Sequence, residues 1–354
     1  MIRARIAGVT ASIVEVPLLR PFATAQDRLK RQVSRPVRVV LRLDNGRAYA
    51  GESVAVAYVT DETPESVVDV VQAAAPALVD LELARPRAAI AAAAAALDGA
   101  PSALAGVEMA VVRAFAGEAG LSIVHLFGGR RLSIETDFTL SLAGDSAADA
   151  QEAHQRGFRS LKLKVGSADP AEDLARLRGA MRAAPEARFR LDANQAFADA
   201  NAAIRWIRAA ITVCPRVELV EQPTPKDDLR ALHAVARAFP GLIFADEACR
   251  TPAHALAIAA RDVGGINLKL MKCGVSGLLE CASVARAAGR RLMIGCMLES
   301  ALGIGFAAAV ACGTGWFELA DLDSHLLLDA PGPEPHFTQA GPLITPSLDP
   351  PSPE

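Results

Sequence analysis

Apolar and polar positions alternate in the first part of the chain, a pattern typical of strands with one buried face. The alternation predicts strands over residues 4–16 and 37–43, and the turn Asp44-Asn45-Gly46 predicts a hairpin to a third strand over residues 47–52. Residues 19–34 are predicted to form a long loop. From residue 64 to 119 the apolar period becomes helical, so the first 125 residues are expected to form an α+β domain.

After Gly128-Gly129 the pattern changes to short apolar runs that alternate with amphipathic helical stretches. The runs cover residues 137–141, 160–164, 189–192, 217–221, 243–246, 265–269, 291–295 and 317–321. Eight strand–helix units of this kind predict an α/β fold, a (β/α)8-type barrel with a parallel sheet. We therefore expect a capping domain over residues 1–125, a barrel over 126–324, and a C-terminal return over 325–354 that packs on the capping domain.

Composition and charge narrow the class of protein. With 51% apolar residues among 354, the chain can bury a large core, which excludes a mainly disordered protein. The net charge of −3 gives no electrostatic basis for binding nucleic acid or an anionic membrane surface. No signal segment opens the sequence, and the uncharged stretch 300–317 holds too many glycines for a membrane span. The six cysteines include no C-x-x-C pair, which favours a reducing, cytoplasmic location.

Polar residues stand at the ends of the expected barrel strands, where the active sites of such barrels lie. In chain order they are Thr139, Lys162, Lys164, Asp192, Glu221, Asp246, Lys269, Asp321 and Asp323. Asp192, Glu221 and Asp246 follow three successive strands, so their carboxylates are expected to converge as hard oxygen ligands that suit Mg²⁺. Two other interpretations stay open, in which these acids cap the following helices or pair with the lysines.

The lysines suggest acid/base chemistry. Lys162 and Lys164 stand two residues apart, so both side chains point into the barrel mouth. Because neighbouring ammonium groups disfavour each other's charge, the pKa of one lysine is expected to fall, as a general base requires. Lys269 lies four strands further round the barrel, on the opposite wall. With one base on each side of a metal, a proton can be removed from one face of a carbon and returned to the other face. The alternative role is as counter-ions of the carboxylates.

Five short motifs carry a resemblance to a known family. They are Lys162-Leu-Lys164, Asp192-Ala-Asn-Gln, Glu221-Gln-Pro, Ala245-Asp-Glu and Asn267-Leu-Lys269. In their order and spacing they resemble the enolase superfamily, muconate-lactonising subgroup, over essentially the whole chain. The resemblance implies a (β/α)7β barrel with an N-terminal capping domain and one Mg²⁺ per active site, held by Asp192, Glu221 and Asp246. It also implies that Lys164 and Lys269 are the acid/base pair, and that Lys162 lowers the pKa of Lys164 and stabilises the substrate carboxylate.

The eighth strand end points to one branch of that superfamily. Asp321-Leu-Asp323 resembles the Asp-x-Asp signature of dipeptide epimerases, in which the pair holds the α-ammonium group of the substrate. The simpler alternative is that both aspartates cap the chain after the strand. Thr139, Cys296 and Met297 are further candidates for contact with the substrate.

The loop after Pro21-Phe-Ala-Thr-Ala25 departs from the epimerases that act on Ala-Glu, which carry an arginine two residues on. Here Asp27 occupies that position and Arg28 comes one place later. An aspartate there repels an acidic side chain and attracts a basic one. We therefore expect a cationic or apolar C-terminal residue in the substrate, while the choice between Asp27 and Arg28 as the residue facing the pocket stays open. Residues 53–60 are expected to form a second loop over the site.

The leading hypothesis is an isomerase, a Mg²⁺-dependent epimerase that inverts the α-carbon of the C-terminal residue of L,L-dipeptides through an enediolate. Alternatives on the same scaffold are o-succinylbenzoate synthase, N-acylamino acid racemase and muconate cycloisomerase. A barrel that binds a zwitterion without turning it over is the alternative from another class. The expected partners are a small dipeptide and further copies of the chain in a homo-oligomer.

Overall fold

The structure is a computed structural model that describes residues 2–329 and 336–354. Its strands are β1 (Ile6–Ile13), β2 (Val16–Phe22), β3 (Arg31–Ser34), β4 (Val37–Leu43), β5 (Ala48–Ser53), β6 (Ile134–Glu135), β7 (Phe138–Leu140), β8 (Ser160–Lys164), β9 (Arg188–Asp192), β10 (Val217–Glu221), β11 (Ile243–Ala245), β12 (Gly265–Lys269), β13 (Arg291–Gly295), β14 (Leu319–Asp321), β15 (Phe337–Ala340) and β16 (Leu343–Pro346). Its α-helices are α1 (Ala57–Thr60), α2 (Pro64–Ala74), α3 (Pro86–Ala96), α4 (Pro101–Ala119), α5 (Ile123–Leu126), α6 (Ser146–Gln155), α7 (Pro170–Ala183), α8 (Ala200–Val213), α9 (Leu229–Ala238), α10 (Pro252–Ala259), α11 (Leu270–Ala287) and α12 (Ala301–Thr314). Short 3₁₀ helices cover Ala75–Ala77 and Ser324–Leu327. Residues 330–335 of the expected C-terminal return lie outside the described residues.

The N-terminal sheet has the antiparallel order β1-β4-β5, and helices α2 and α4 pack against it. The predicted hairpin is confirmed, since β4 pairs with β5 through a turn in which Gly46 N donates to Leu43 O at 3.0 Å. Gly46 has a φ of 85°, a conformation that glycine adopts without steric cost. The alternating apolar positions therefore specify this sheet correctly.

The predictions for residues 4–16 and 19–34 are wrong in part. The first strand ends at Ile13, and a second strand, β2, begins at Val16 within the segment expected to continue the first. Strand β2 pairs with β3 as an antiparallel hairpin, with Val16 opposite Ser34, inside the segment expected to be a loop. Most side chains of this hairpin are exposed on both faces, so no alternation of apolar residues marks it.

The second part of the chain is a barrel. Strands β7 to β14 form one parallel sheet in sequence order, and a bridge between Thr136 and Ala320 brings the first strand beside the last. Seven helices, α6 to α12, connect the eight strands over residues 138–321, all of which are described. The eight strand predictions and the (β/α)7β architecture are confirmed. All strand ends of one polarity therefore meet at the same mouth.

The barrel helices begin on their own polar caps. Side chains that accept hydrogen bonds from first-turn backbone N–H groups are Asp145 for α6, Asp169 for α7, Asp199 for α8, Asp228 for α9, Thr251 for α10 and Ser300 for α12. Such a cap satisfies N–H groups that the helix itself leaves unpaired. Because other residues cap α8, α9 and α10, the capping interpretation of Asp192, Glu221 and Asp246 is wrong.

Three buried glutamates of the N-terminal region lie at the N-termini of longer helices. Glu62 accepts hydrogen bonds from the first turn of α4, Glu108 from Val275 and Ser276 of α11, and Glu52 from Ser300 at the start of α12. The helix dipole and the free N–H groups compensate a buried carboxylate there. Helix α11 is interrupted at Gly274 (φ 71°). The two backbone N–H groups that donate to Glu108 come directly after this interruption.

The C-terminal segment returns across the molecule. Strands β15 and β16 are antiparallel, and β16 pairs with β6 at the start of the barrel. Further on, Glu354 N donates to Ala48 O at 2.9 Å, and the Glu354 carboxylate pairs with Arg38 of β4. The last residues therefore lie on the N-terminal sheet.

Helix α12 contains most of the uncharged stretch. It is buried on all sides, between α5, β16 and β5, as is typical of a helix that is apolar all round. Among residues 2–329 and 336–354, no helix is both long enough and apolar enough to cross a membrane.

Candidate active site

A cavity of about 390 Å³ lies between the carboxyl ends of the barrel strands and the N-terminal region. The predicted site residues that line it are Asp27, Thr139, Lys164, Asp246, Lys269, Cys296, Met297, Asp321 and Asp323. Lys162, Asp192 and Glu221 have no exposed surface and lie beneath this lining. The structure thus brings together all twelve predicted residues, which come from strands or loops far apart in the chain.

Lys162 is the centre of the buried layer. Its Nζ lies 2.6 Å from Asp321 Oδ2, 2.9 Å from Glu221 Oε2 and 3.1 Å from Asp192 Oδ2. Lys164 Nζ donates to the same Asp192 Oδ2 at 2.6 Å. Asp192 therefore carries two lysine partners, consistent with the interpretation of the lysines as counter-ions of the carboxylates in this state.

A second group faces it from β12 and α11. Lys269 Nζ donates to Asp246 Oδ2 at 2.7 Å, and Lys272 Nζ donates to Asp246 Oδ1 at 2.6 Å and to Asn267 O at 2.8 Å. Each oxygen of Asp246 is thus held by a different lysine. Strands β8 and β12 are four positions apart in the eight-stranded sheet, so Lys164 and Lys269 stand on opposite walls.

The pKa directions follow from these pairs. Burial alone would lower the pKa of Lys162, but the charges of Asp192, Asp321 and Glu221 raise it well above its usual value. For Lys269, burial is likewise outweighed by the nearby carboxylates, Asp246 foremost, and the pKa is raised. The fall was expected in one member of the Lys162–Lys164 pair, but the pKa of Lys162 is raised instead, because its ammonium pairs with carboxylates.

The pKa values of two neighbouring acids, Glu221 and Asp192, shift in opposite directions. Burial and the charge of Asp192 raise the pKa of Glu221 to about 8. Burial opposes ionisation of Asp192 as well, yet Lys162 and Lys164 lower its pKa to about 2. The pKa values of these neighbouring acids are thus shifted in opposite directions, which limits the repulsion between them.

The donor set fits a hard divalent cation. Asp192, Glu221 and Asp246 offer only oxygen ligands, as Mg²⁺ prefers. Three buried oxygens around them accept no hydrogen bond, namely Asn194 Oδ1, Glu247 Oε2 and Asn267 Oδ1. Buried acceptors without donors are rare in folded proteins, and here they cluster where a cation and its water ligands would supply partners.

The eighth strand end brings together a second group of acidic side chains. Ligand atoms of Cys296, Asp321 and Asp323 lie within 4.8 Å of one another. Thr139 N donates to Asp323 Oδ2 at 2.6 Å and Thr139 Oγ1 to Oδ1 at 3.2 Å, so the orientation of Asp323 is fixed by β7. Asp323 makes no side-chain cap to the following 3₁₀ helix, which argues against the simple capping alternative.

Loop 296–299 forms part of the cavity wall through Cys296 and Met297. Glu299 holds this loop, because its Oε1 accepts from Met297 N at 2.9 Å while its Oε2 is buried without a hydrogen-bond partner. Burial, reinforced by the charge of Glu52, raises the pKa of Glu299 to about 8 although the Met297 N–H opposes the shift. The wall thus contains a carboxyl group that stays protonated at neutral pH.

Asp27, and not Arg28, faces the cavity. Arg28 turns away and donates from Nη2 to Gly166 O at 2.8 Å. Asp27 accepts a hydrogen bond from Arg31 Nε, and Arg31 also lines the cavity. Asp27 was expected to carry an unpaired charge. Arg31, which belongs to the hairpin that was not predicted, pairs with it.

Four residues of this site carried no predicted role. Asn194 and Glu247 hydrogen-bond to each other at 3.1 Å and line the cavity together with Tyr58, while Lys272 lies behind Asp246. Asn194, Glu247 and Lys272 fall within or beside the five motifs, which is the signal that could have found them. Tyr58 lies in the predicted second loop, and nothing in its spacing distinguishes it.

Comparison with known proteins agrees with this geometry. Residues 145–345 match the family described as Enolase C-terminal domain-like. The L-Ala-D/L-Glu epimerase of Bacillus subtilis is 36% identical over 330 residues, or 92% of this chain and 89% of that protein. A substrate-liganded structure of the L-Ala-D/L-Glu epimerase from Bacillus subtilis superposes with a TM-score of 0.92, at 33% identity over 99% of each chain.

Two further similar proteins are named as dipeptide epimerases. The aromatic dipeptide epimerase of Herpetosiphon aurantiacus is 33% identical over 91% of this chain and 91% of that protein. The dipeptide epimerase from Enterococcus faecalis, solved with Mg and L-Leu-L-Tyr, has a TM-score of 0.89 and 28% identity over 99% of each chain.

The chain therefore belongs to the enolase superfamily, as the motifs indicated. Within that superfamily it is an isomerase, because relatives at 33% to 36% identity along most of its length are epimerases. The alternative of a barrel that only binds a zwitterion is accordingly set aside.

Proposed function

We propose that the protein is a Mg²⁺-dependent dipeptide epimerase that inverts the α-carbon of the C-terminal residue of L,L-dipeptides. The observation that carries the proposal is the placement of Lys164 and Lys269 on opposite walls of one cavity, each paired with a strand-end carboxylate. The names of the related epimerases support the reaction class.

One Mg²⁺, held by Asp192, Glu221 and Asp246, would supply the positive charge that stabilises the substrate carboxylate as an enediolate. The magnesium in the Enterococcus relative supports this cofactor. Lys162, buried beside the same carboxylates, adds a second fixed positive charge.

The two lysines move the proton. A neutral Nζ on one wall takes the α-proton from one face of the carbon, and the protonated Nζ on the other wall returns a proton to the opposite face. The configuration is thereby inverted, and no bond other than Cα–H is broken. The lysines then exchange protons with solvent to restore their starting state.

Asp321 and Asp323 favour a dipeptide over the other substrates used on this scaffold. Two carboxylates suit an α-ammonium group, which the substrates of o-succinylbenzoate synthase and muconate cycloisomerase do not carry. Thr139 keeps Asp323 oriented toward the cavity.

We infer an apolar side chain at the C-terminal residue of the substrate. Arg31 neutralises Asp27, so the charge of Asp27 is not free to select a cation. Phe22, Val33 and Val54 line the same cavity. Of the cationic and apolar options that Asp27 suggested, the apolar one is the better supported.

The test is proton NMR in D₂O with Mg²⁺, in which pooled L-Xaa-L-Xaa dipeptides are followed for loss of the C-terminal α-proton signal. We expect exchange and epimerisation with leucine-, phenylalanine- or tyrosine-ended substrates. Exchange with Ala-Glu alone would keep the reaction and reject the side-chain inference. No exchange in any pool would reject the epimerase and make the elimination substrates the next to test.

A further inference from the structure

Helix α1, residues 57–60, forms a lid segment over the cavity. Tyr58 and Val59 line the cavity, and the segment ends at Asp61 in a left-handed conformation with a φ of 63°. A helix of a single turn is unstable by itself, because too few hydrogen bonds offset the cost of ordering it. Contacts from outside the segment must therefore hold it in place.

Lys226, in the loop after β10, makes such a contact. Its Nζ donates to Tyr58 O at 3.0 Å and to Val59 O at 3.4 Å. The last carbonyl groups of a helix lack partners within the helix, and a lysine satisfies them and interacts favourably with the negative end of the dipole. Lys226, which belongs to the barrel, thus supplies the hydrogen-bond donor that the last carbonyl groups of the lid segment lack.

Lys226 is itself anchored. Its backbone N–H donates to Gln195 Oε1 at 2.8 Å, and Gln195 N donates to Gln222 O at 2.8 Å. Gln195 follows β9 and Gln222 follows β10, the strands that end in Asp192 and Glu221. The hydrogen bonds that position Lys226 therefore come from the ends of β9 and β10, the strands that also carry two of the three candidate metal ligands.

The group that this contact positions is Tyr58. Tyr58 lines the cavity together with Thr24, Lys269 and Glu247. Burial and the negative charge of Glu247 raise the pKa of Tyr58, so the phenol stays neutral. A neutral side chain in the same lining as Lys269 fills space that water would otherwise occupy.

We propose that Lys226 is a positioning residue that, by holding the Tyr58 and Val59 carbonyl groups, keeps Tyr58 closed over the cavity when the dipeptide binds. The inference rests on the proposed function for the identity of the ligand. Lys226 lies outside the cavity lining, so it acts through Tyr58 and does not touch the substrate.

The experiment compares Lys226→Met with Lys226→Arg, which retains a cation that can donate to the two carbonyl groups. Arg230→Met, which removes an exposed cation from the following helix, is the matched control. Hydrogen–deuterium exchange by mass spectrometry follows residues 57–61 in the Mg²⁺-loaded protein without substrate. Steady-state kinetics then follow the best dipeptide.

For Lys226→Met we expect about tenfold faster amide exchange at residues 57–61 and a KM raised about tenfold, with kcat changed less and Mg²⁺ affinity unchanged. Lys226→Arg should restore most of both effects, and Arg230→Met should match the wild type. If Lys226→Met does not fold, Lys226→Gln, which has no charge, is measured in the same way.

Unchanged amide exchange in Lys226→Met overturns the proposal. So does faster exchange with an unchanged KM, because the segment would then not enclose the substrate. If the wild type turns over no dipeptide, the proposed function fails, while amide exchange still decides whether Lys226 holds the lid segment.

Discussion

Arg31 Nε donates a hydrogen bond to Asp27 Oδ2, four residues earlier in the chain, at the mouth of the cavity. The pair cancels the two charges that this hairpin presents to a bound substrate. Both side chains are partly exposed, so the electrostatic contribution of the pair to stability is small. We expect the Asp27–Arg31 pair to affect the choice of substrate instead, because removing either residue leaves the charge of the other unpaired.

Breaking this pair should change specificity in opposite directions. Arg31→Ala leaves Asp27 free, and we expect kcat/KM for lysine- or arginine-ended dipeptides to rise about fivefold relative to a leucine-ended one. Asp27→Ala leaves Arg31 free and should favour glutamate-ended dipeptides by a similar factor. Competition assays with mixed dipeptides measure both ratios, and equal shifts in both variants would reject the charge argument.

Replacing one lysine of the opposed pair should separate exchange from epimerisation. We expect Lys164→Met and Lys269→Met each to lose about 10³-fold in epimerisation, within the range of general acid–base catalysis. Each variant should still exchange the α-proton of one diastereomer, because the remaining lysine reaches one face. Proton NMR in D₂O with L,L- and L,D-dipeptides tests this, and exchange of both diastereomers by one variant would contradict the two-base arrangement.

The aspartates of the eighth strand end should matter only for substrates with a free ammonium group. For Asp321→Asn and Asp323→Asn we expect KM for a dipeptide to rise at least tenfold, since a charge-assisted hydrogen bond is lost. Weak activity on the N-acetylated dipeptide should not fall further in Asp323→Asn. Thr139→Val, which removes the hydroxyl donor to Asp323 Oδ1 and keeps the backbone N–H donor to Oδ2, is the companion variant. An equal loss on both substrates would argue for a structural role.

Lys272 should tune the affinity for metal without touching the substrate. It holds Asp246 Oδ1 and leaves Oδ2 on the cavity side, where Lys269 contacts it. Loss of a group that orients a metal ligand typically weakens binding about 10- to 100-fold. We expect that loss in Lys272→Met by Mn²⁺ calorimetry. In an Asp246→Asn background, Lys272→Met should cause little further loss, whereas additive losses would show independent effects.

Glu299 should make stability depend on pH. In the folded protein burial keeps its pKa at about 8, whereas an unfolded glutamate loses its proton near about 4.3. Between these values the folded state binds more protons, so the free energy of unfolding falls as pH rises toward 8. Glu299→Gln keeps the acceptor for Met297 N and removes this titration. Thermal melts at pH 5.5 and 8.5 should show a smaller loss of Tm for the variant than for the wild type.

The barrel and its site could be predicted from the sequence because buried positions leave a recognisable pattern of residue types in both. Each barrel strand is a short apolar run, and charged residues such as Lys162 and Asp192 stand out at the ends of such runs. Hairpin β2–β3 could not be predicted, since its side chains are mostly exposed and leave no period.

Contacts between distant loops were also beyond the sequence. Lys226 meets Tyr58 across 168 residues, and no spacing rule links them. Glu247 follows Asp246 directly, but β11 ends at Ala245, so strand alternation does not decide which way its side chain faces. The lysine pKa directions depend on which carboxylate each ammonium meets, which only the folded structure determines.

Glu52 and Glu108 have a consequence for recombination between relatives. Both belong to the N-terminal region, yet the backbone N–H groups that donate to them lie in the barrel, at Ser300 before α12 and at Val275 and Ser276 after the break in α11. A chimera that takes its first 125 residues from a related epimerase, in order to import a different substrate lid, must therefore supply both carboxylates again. Such a transplant should fold only if the donor carries acids at both positions.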